Sequence, residues 1–239
     1  MAVALAQLDL GQLRQRLSQE LSQIIQQPVH MEKLHLTYQQ GLSINIHNLA
    51  IGDKKNLDIQ IPQLTGVIRL QPLLHGDLRL DQVILTEPQF RVIVPEAKEV
   101  NNGVPAATTA KLFKRFGLSL LTIRQASLSL QQKDPQQKSL PSRIENLNLV
   151  LRGWKTEQPG YLVVSGTLPE QQGQFTIEAE LPTPTQLADW RLHPLSVKAN
   201  LKHLSREWLP DNVIKYLPER IDMTLRLSAL DCPVEVEPI

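Results

Sequence analysis

Between residues 69 and 94, apolar and polar positions alternate, slip by one residue, and alternate again. Leu78 and Leu80, then Val83 and Leu85, then Phe90, Val92 and Val94 recur at period two, with one extra residue between Leu80 and Val83. Period two gives a strand one oily face and one polar face. The extra residue has the signature of a β-bulge, which adds a residue without sending the following side chains to the wrong face. The stretch reads as the end of one strand, a tight turn at Pro72, Leu73, Leu74 and Gly76, and two more strands joined across Glu87-Pro88. The turn is expected to be a short helical one at the rim, with Leu73 or Leu74 directed to the oily face of Leu80 and Leu85.

The same step, apolar, any, polar, apolar, any, apolar, recurs along the chain. It appears as Met31-Glu32-Lys33-Leu34-His35-Leu36, Ile46-His47-Asn48-Leu49-Ala50-Ile51, Leu80-Asp81-Gln82-Val83-Ile84-Leu85, Ile123-Arg124-Gln125-Ala126-Ser127-Leu128 and Ile144-Glu145-Asn146-Leu147-Asn148-Leu149. Each copy places a polar residue where the bulge would be. The copies follow no strict period, which argues for an elongated, strand-by-strand architecture over a closed propeller or solenoid.

The remaining elements follow from the same reading. A helix from Asp9 to Gln27 is signalled by Asp9 as cap, Gln12 at the capping-box position, and Leu10, Leu13, Leu17, Leu21 and Ile24 at spacings of three and four. It packs on a core, lies on a membrane surface, or plugs the end of a sheet. Strands are expected over Met31 to Leu36, Leu42 to Ile51 and Leu57 to Leu70, as antiparallel neighbours, with Pro62 at a bulge or unpaired edge. Residues 95 to 110 read as a connection, and Lys111 to Phe116 as a short basic helix that packs or touches a membrane. Strands resume over Leu118 to Gln131, Arg143 to Leu151, Tyr161 to Leu168, Gln174 to Leu181 and Leu195 to Leu201. Leu204 to Glu219 reads as a helical interruption and Arg220 to Leu227 as a strand. The expected segments are 1–27 (helix), 28–95 (first sheet segment), 96–117 (linker), 118–230 (second sheet segment) and 231–239 (tail).

Composition narrows the function classes. The chain has 239 residues, 41% hydrophobic and 21% charged, which is ordinary globular material. A net charge of +1 supplies no long-range field, so no nucleic-acid partner is expected. A single cysteine, Cys232, excludes an intrachain disulfide and a cysteine metal cluster. No apolar run reaches the roughly 20 residues of a membrane-spanning helix.

Candidate chemistry is sparse. The chain holds no Gly-rich phosphate loop, no nucleophile elbow and no His-Glu-x-x-His element. His35 and His47 fall on polar faces of adjacent strands, which makes a two-ligand site conceivable but supplies no third ligand. Asp81 and Glu87 read as structural carboxylates on a solvent-facing edge with nothing to perturb them. No enzyme activity, cofactor or metal is expected.

The unusual feature is apolar surface in an antiparallel sheet with few helices to cover it. A second sheet would cover it, giving a sandwich; so would a sheet curling on itself, or a bound apolar ligand in the trough.

Several phrases carry a family resemblance. Asp9-Leu10-Gly11-Gln12-Leu13 opening a helix, Gln27-Pro28-Val29-His30-Met31-Glu32-Lys33-Leu34, Gly41-Leu42-Ser43-Ile44 with Leu49-Ala50-Ile51-Gly52, and Leu70-Gln71-Pro72-Leu73-Leu74-His75-Gly76-Asp77-Leu78-Arg79-Leu80 leading to Glu87-Pro88 resemble the amino-terminal domain of AsmA-like proteins. Residues 160 to 230 resemble its continuation. The resemblance implies a periplasmic protein of Gram-negative bacteria, associated with the inner membrane and supporting outer-membrane biogenesis. It further implies an architecture related to the chorein-type bridge-like lipid-transfer proteins, whose curled sheet forms an apolar groove for phospholipid tails. The family's amino-terminal anchor is not among these residues, and the chain is shorter than a bridge across the periplasm, so an amino-terminal fragment or a small member is expected.

The fold expectation is therefore mainly β: an elongated, curled antiparallel sheet forming an open groove, with an N-terminal amphipathic helix and short helical interruptions. Exposing an acyl chain costs about 0.8 kcal/mol per CH₂, on the order of 12 kcal/mol for a tail of roughly 16 carbons, and a continuous apolar lining lowers that barrier. The expected lining is Leu36, Ile44, Ile46, Leu49, Ile51, Ile59, Ile61, Leu80, Val83, Leu85, Phe90 and Val92. The expected partners are a phospholipid or other acyl lipid, a membrane surface met through the N-terminal region, and envelope proteins. The competing expectation is a non-catalytic β-sandwich scaffold for envelope assembly; a hydrolase would need a cleft with a paired acid and base.

Overall fold

The computed structural model describes residues 10–38, 41–53, 57–69, 71–72, 79–94, 119–132, 143–154, 158–169, 173–183, 196–205, 220–228 and 235–238. Of the expected rim turn at 72–76 only Pro72 is described, in helical conformation with Gln71; residues 73–76, the basic helix at 111–116 and most of the interruption at 204–219 lie outside the described residues. One helix, α1 (Leu10–Ile25), precedes twelve strands. They are β1 (Val29–Tyr38), β2 (Leu42–Ile51), β3 (Leu57–Ile68), β4 (Leu80–Thr86), β5 (Gln89–Val94), β6 (Leu120–Gln132), β7 (Arg143–Arg152), β8 (Gly160–Leu168), β9 (Gly173–Leu181), β10 (Ser196–Ser205), β11 (Arg220–Ser228) and β12 (Glu235–Pro238). The expected tail thus contains a short strand, β12, paired with β11 from Met223↔Pro238 to Arg226↔Glu235.

All twelve strands belong to one curled sheet, in the order β1-β2-β3-β4-β6-β7-β8-β9-β10-β11-β12, with β5 set between β3 and β6 in line with β4. A sandwich of two sheets is therefore not the architecture of the described residues. Neighbours are antiparallel except at one seam, where β6 runs parallel to both β4 and β5. The expectation of an antiparallel sheet holds everywhere but there. Period two is the same in parallel and antiparallel strands, so the residues of β6 could not announce the seam; it arises because the chain returns between Val94 and Leu120 to the end where β4 began. Arg69 fastens this seam. Its guanidinium donates to Asp81 Oδ1 from Nε at 3.1 Å and from Nη2 at 2.7 Å, and Nη2 also reaches Ser119 Oγ at 2.6 Å. Asp81 is therefore an ion-paired residue beside the seam, contrary to its reading as an unperturbed carboxylate.

The repeated sequence step is realised as a crease across the sheet. Five strand residues other than glycine lie in or beside strands with positive φ near 50–55°: Asn48, Glu87, Gln125, Asn146 and His203. Each is the polar third residue of an apolar-any-polar-apolar step. Two of these steps, Leu85-Thr86-Glu87-Pro88 and Leu201-Lys202-His203-Leu204, escape the sequence reading, the first because proline occupies an apolar position. The left-handed turn adds one residue and restores phase, so Leu42, Ile44 and Ile46 before Asn48, and Leu49 after it, are all buried. The step at Leu80–Val83 is of a second kind, a register shift between Val67↔Gln82 and Ile68↔Leu80 that leaves Asp81 as the extra residue.

These residues line up. His47↔Gln63 and Leu49↔Ile61 bracket Asn48 against Pro62, and Gln60↔Gln89 and Gln63↔Thr86 bracket Glu87-Pro88 against Ile61-Pro62. Thr86↔Arg124 and Gln89↔Ser127 bracket Glu87 against Gln125, and shifts on either side of Ala126↔Leu147 bring Asn146 to the same line. Pro62 sits in a central strand, yet at a place where neither neighbour needs an N–H donor. The ladder is re-knit beside it by Glu87 N donating to Arg124 O and Ser127 N to Pro88 O, at 2.8 and 2.9 Å. The most buried residues, Leu49, Pro88 and Ala126, follow directly after the crease.

α1 lies against β1 and serves two purposes. Its apolar stripe, Leu17, Leu21 and Ile25, packs on Val29, Met31, Leu34, Ile44, Ile46, Leu49 and Ile61 to form the one extensive buried cluster among the described residues. Each such side chain contributes about 1.5–3 kcal/mol when fully buried. Its polar residues also satisfy the free edge of β1: Ser18 Oγ donates to Val29 O, Val29 N donates to Ser22 Oγ at 3.0 Å, and Arg14 Nη1 donates to Glu32 O at 2.7 Å. Gln26, at φ 58°, ends the helix in a left-handed cap before Pro28. Of the three expected placements for this helix, the described structure shows the core-facing one, with its apolar stripe packed on the first strands of the sheet.

The crease makes a sign-inverting prediction. Valine favours strands generally, but a β-branched residue is strongly disfavoured at positive φ. Gln125→Val should lower the unfolding free energy by about 1–2 kcal/mol, and Gln125→Gly should leave it equal or raise it by up to about 1 kcal/mol. Denaturant unfolding of the two variants gives the order.

Candidate functional site

The inner face of the curl carries apolar rows that cross the strands. One runs through Leu34, Ile46, Leu64, Leu85, Ile123, Leu149, Val164, Ile177, Ala199 and Leu225, each standing opposite the next strand's member in register. Val236 of β12 stands next in register to Leu225. No polar residue interrupts the row. From β1 to β11 it makes nine inter-strand steps of about 4.8 Å, a contour of roughly 43 Å. A second row runs beside it through Leu36, Ile44, Gly66, Val83, Leu121, Leu151, Leu162, Ala179 and Val197. Beyond the crease a third passes through Val29, Ile51, Ile59, Phe90, Leu128 and Ile144.

The rows are covered unequally. Under α1 they are core: Leu34 is 6% exposed and Ile46 5%. Leu85 on β4 still packs against that cluster and Ile123 on β6 is buried, whereas Leu149, Val164 and Ile177 on β7 to β9 are half-buried. A single curved layer can bury a side chain only sideways against its neighbours, which suffices for Leu151 and Ala179 but leaves the first row half-buried from Leu149 to Leu225. What results is a trough, closed by a helix at one end.

Two aromatic residues shape its floor over glycines. A Cβ on Gly166 would lie 2.8 Å from the Phe175 ring and 3.3 Å from Ile144, so the ring fills the gap a side chain would have filled. A Cβ on Gly160 would lie 2.7 Å from Trp154, whose indole folds over the start of β8. Trp154 is 4% exposed, and its Nε1 donates to Pro182 O at 2.7 Å. It stoppers one margin of the trough at β7–β9.

All twelve lining residues expected from sequence fall on this one face. The structure divides them, however. Ile44, Ile46, Leu49 and Ile61 are core under α1, and Leu36, Ile51, Ile59, Leu80 and Leu85 are part-buried against that core. Val83, Phe90 and Val92 are half-buried in the open part. The open lining from β6 to β9, including Leu121, Leu149, Val164, Phe175 and Ile177, was missed. Its signal was present as period-two alternation, but which strands α1 would leave uncovered is not a local property.

The outer face is polar and internally bonded. Asn45 donates to Thr37 Oγ1 and accepts from Thr65 Oγ1, each at 2.8 Å. The His35 and His47 rings meet edge to face with centroids 5.9 Å apart. Among the described residues no group of three His, Cys, Asp or Glu could hold a metal ion. Glu87 is exposed on the crease, apart from Asp81 and its arginine. Among the described residues no helix is long and apolar enough to cross a membrane.

The stopper can be tested without disturbing its shape. Trp154→Phe retains an apolar ring and leaves Pro182 O without its donor. The unfolding free energy should fall by about 1–3 kcal/mol, measured by denaturant titration.

No protein-family model, no curated protein and no solved structure matches this chain.

Proposed function

We propose that this chain binds lipid acyl chains in the trough and passes them along it, in the envelope of a Gram-negative bacterium. The observation that carries the reading is the unbroken apolar row from Leu34 to Leu225, whose members past Ile123 are only half-buried. A ligand for such a surface must need no hydrogen bonds, must be long, and must be indifferent to position along it. An acyl chain meets all three conditions, and sliding by one strand exchanges one set of methyl contacts for an equivalent set. The polar headgroup stays in water at the open mouth, where it loses no hydration.

One leaflet of a bilayer has a hydrocarbon depth of roughly 15 Å, half the usual core thickness of about 30 Å. A row of about 43 Å therefore holds a tail over three or four strands and leaves room for others in file. The resemblance to AsmA-like proteins supports the periplasmic setting, with the N-terminal region toward the inner membrane and the trough serving outer-membrane biogenesis. No step in this activity requires a catalytic group or a cofactor.

Mass spectrometry of organic extracts from the purified chain should find phospholipid at stoichiometric levels. Ile177→Glu, in the open part, should remove that lipid while leaving the melting temperature within a few degrees. Ile46→Glu, under α1, should instead unfold the protein, since an unpaired carboxylate there faces a closed apolar cluster. Wild-type protein free of lipid, or an Ile177→Glu variant as unstable as Ile46→Glu, would overturn the reading.

A further inference from the structure

The outer face carries a second feature that the trough does not explain. A cavity of about 280 Å³ opens on the polar side of β3, β5, β6 and β7, lined among others by Asp58, Gln89, Arg91, Ser127, Ser129 and Arg143. Four of these form one transverse line through Asp58↔Arg91, Arg91↔Ser129 and Ser129↔Arg143. The order across the sheet is carboxylate, guanidinium, hydroxyl, guanidinium. A second carboxylate, Glu145, follows two residues after Arg143 on the same face of β7.

Each arginine is held from its far side. Arg91 Nη1 lies 3.5 Å from Asp58 Oδ2, whose side chain is only 11% exposed, and Arg143 Nη2 lies 2.9 Å from Glu145 Oε1. Each guanidinium has five N–H donors, and one ion-pair contact to a carboxylate leaves most of them unspent. Ser127 and Ser129 hold no side-chain hydrogen bond among the described residues. Arg91 and Arg143 stand two strands apart, about 10 Å between backbones, with the Ser129 hydroxyl between them. That gap suits an oxyanion gripped by two long side chains over a hydroxyl floor. Two guanidinium groups face one lining carboxylate, Asp58, which is paired with Arg91, while Glu145 lies outside the lining, so the cavity carries a net positive charge.

We propose that this outer-face cavity is a binding site for the oxyanion of a phosphate ester, with Arg91 and Arg143 as forked donors and Ser129 as a third. Asp58 and Glu145 orient the two guanidinia and restrict them to the inward-facing rotamers. Planar guanidinium forks recognise phosphate bidentately, which a pair of lysines would not reproduce. The polar groups of the site stand on the opposite face from the trough; Phe90 and Leu128, which belong to the third apolar row, also border the cavity.

The test titrates the whole chain with inorganic phosphate and with glycerol 1-phosphate, following backbone amide resonances. Shifts should concentrate at Ser127, Ser129 and Arg143. Arg143→Gln should weaken binding about tenfold, and adding Arg91→Gln should abolish it, which is the loss expected of charge-assisted hydrogen bonds. Arg143 is well exposed, its side chain at 61%, so its variant keeps the fold even where Arg91→Gln strands the buried Asp58. Phosphatidylglycerol vesicles, set against phosphatidylcholine vesicles, then identify the source: competition with phosphate assigns a lipid headgroup, and its absence assigns a soluble phosphate ester. No shift in wild type, shifts elsewhere on the chain, or unchanged binding in Arg143→Gln would overturn the proposal.

Discussion

Each long strand in this protein must carry apolar side chains on one face for its whole length, and a flat strand of ten or more residues in a strongly twisted sheet cannot do so without a correction. At Asn48, Glu87, Gln125, Asn146 and His203 the correction is a single left-handed residue, while β1 and β3 shift phase opposite these without one. Such a residue inserts one position and turns the backbone, and the alternation resumes with the oily side chains on the same face as before. An L-residue in this conformation costs about 1–2 kcal/mol, less for asparagine. Two of the five are asparagines, Asn48 and Asn146, and Asn48 Nδ2 donates to Glu32 while Asn148 Nδ2 donates to Asn146 O at 2.8 Å. Because adjacent strands take the turn at the same line, each irregularity is matched by its neighbour's, and most of the ladder survives. Apolar rows on both sides of the crease depend on that coincidence, and the trough consists of those rows.

Covering the face at only one end decides what the rest can be. α1 turns the first three strands into a core that resembles any small α/β layer, and its Ser18, Ser22 and Arg14 side chains occupy the backbone groups that an exposed edge strand would offer to another chain. The last strand of the described sheet is β12. β12 is four residues long, carries Glu235 and Glu237, and ends in a proline. Between these two ends the sheet has a face too apolar to be a solvent surface and, among the described residues, nothing to shield it. The polar outer face bears the remaining chemistry: the threonine-asparagine ladder near β1–β3, the Arg69–Asp81–Ser119 fastening at the seam, and the arginine-flanked cavity.

The sequence by itself determined the alternation, and with it the face of every strand. Leu34, Ile46, Leu85, Ile123 and Leu149 could be assigned to a common oily side from their spacing, because the pleat has a fixed period of two and the bulge step leaves a visible phase slip. It also determined α1, and it marked Asn48, Gln125 and Asn146 as positions where the backbone departs from the strand. Tertiary structure decided the rest. That β6 runs parallel to β4 and β5 depends on where a connection returns, and a period of two is blind to strand direction. That Ile46 is core while Ile177 lines an open trough depends on which strands α1 reaches, a distance set by three-dimensional packing. That Asp58, Arg91, Ser129 and Arg143 meet at one cavity depends on registers between strands far apart in the chain, which no local pattern encodes.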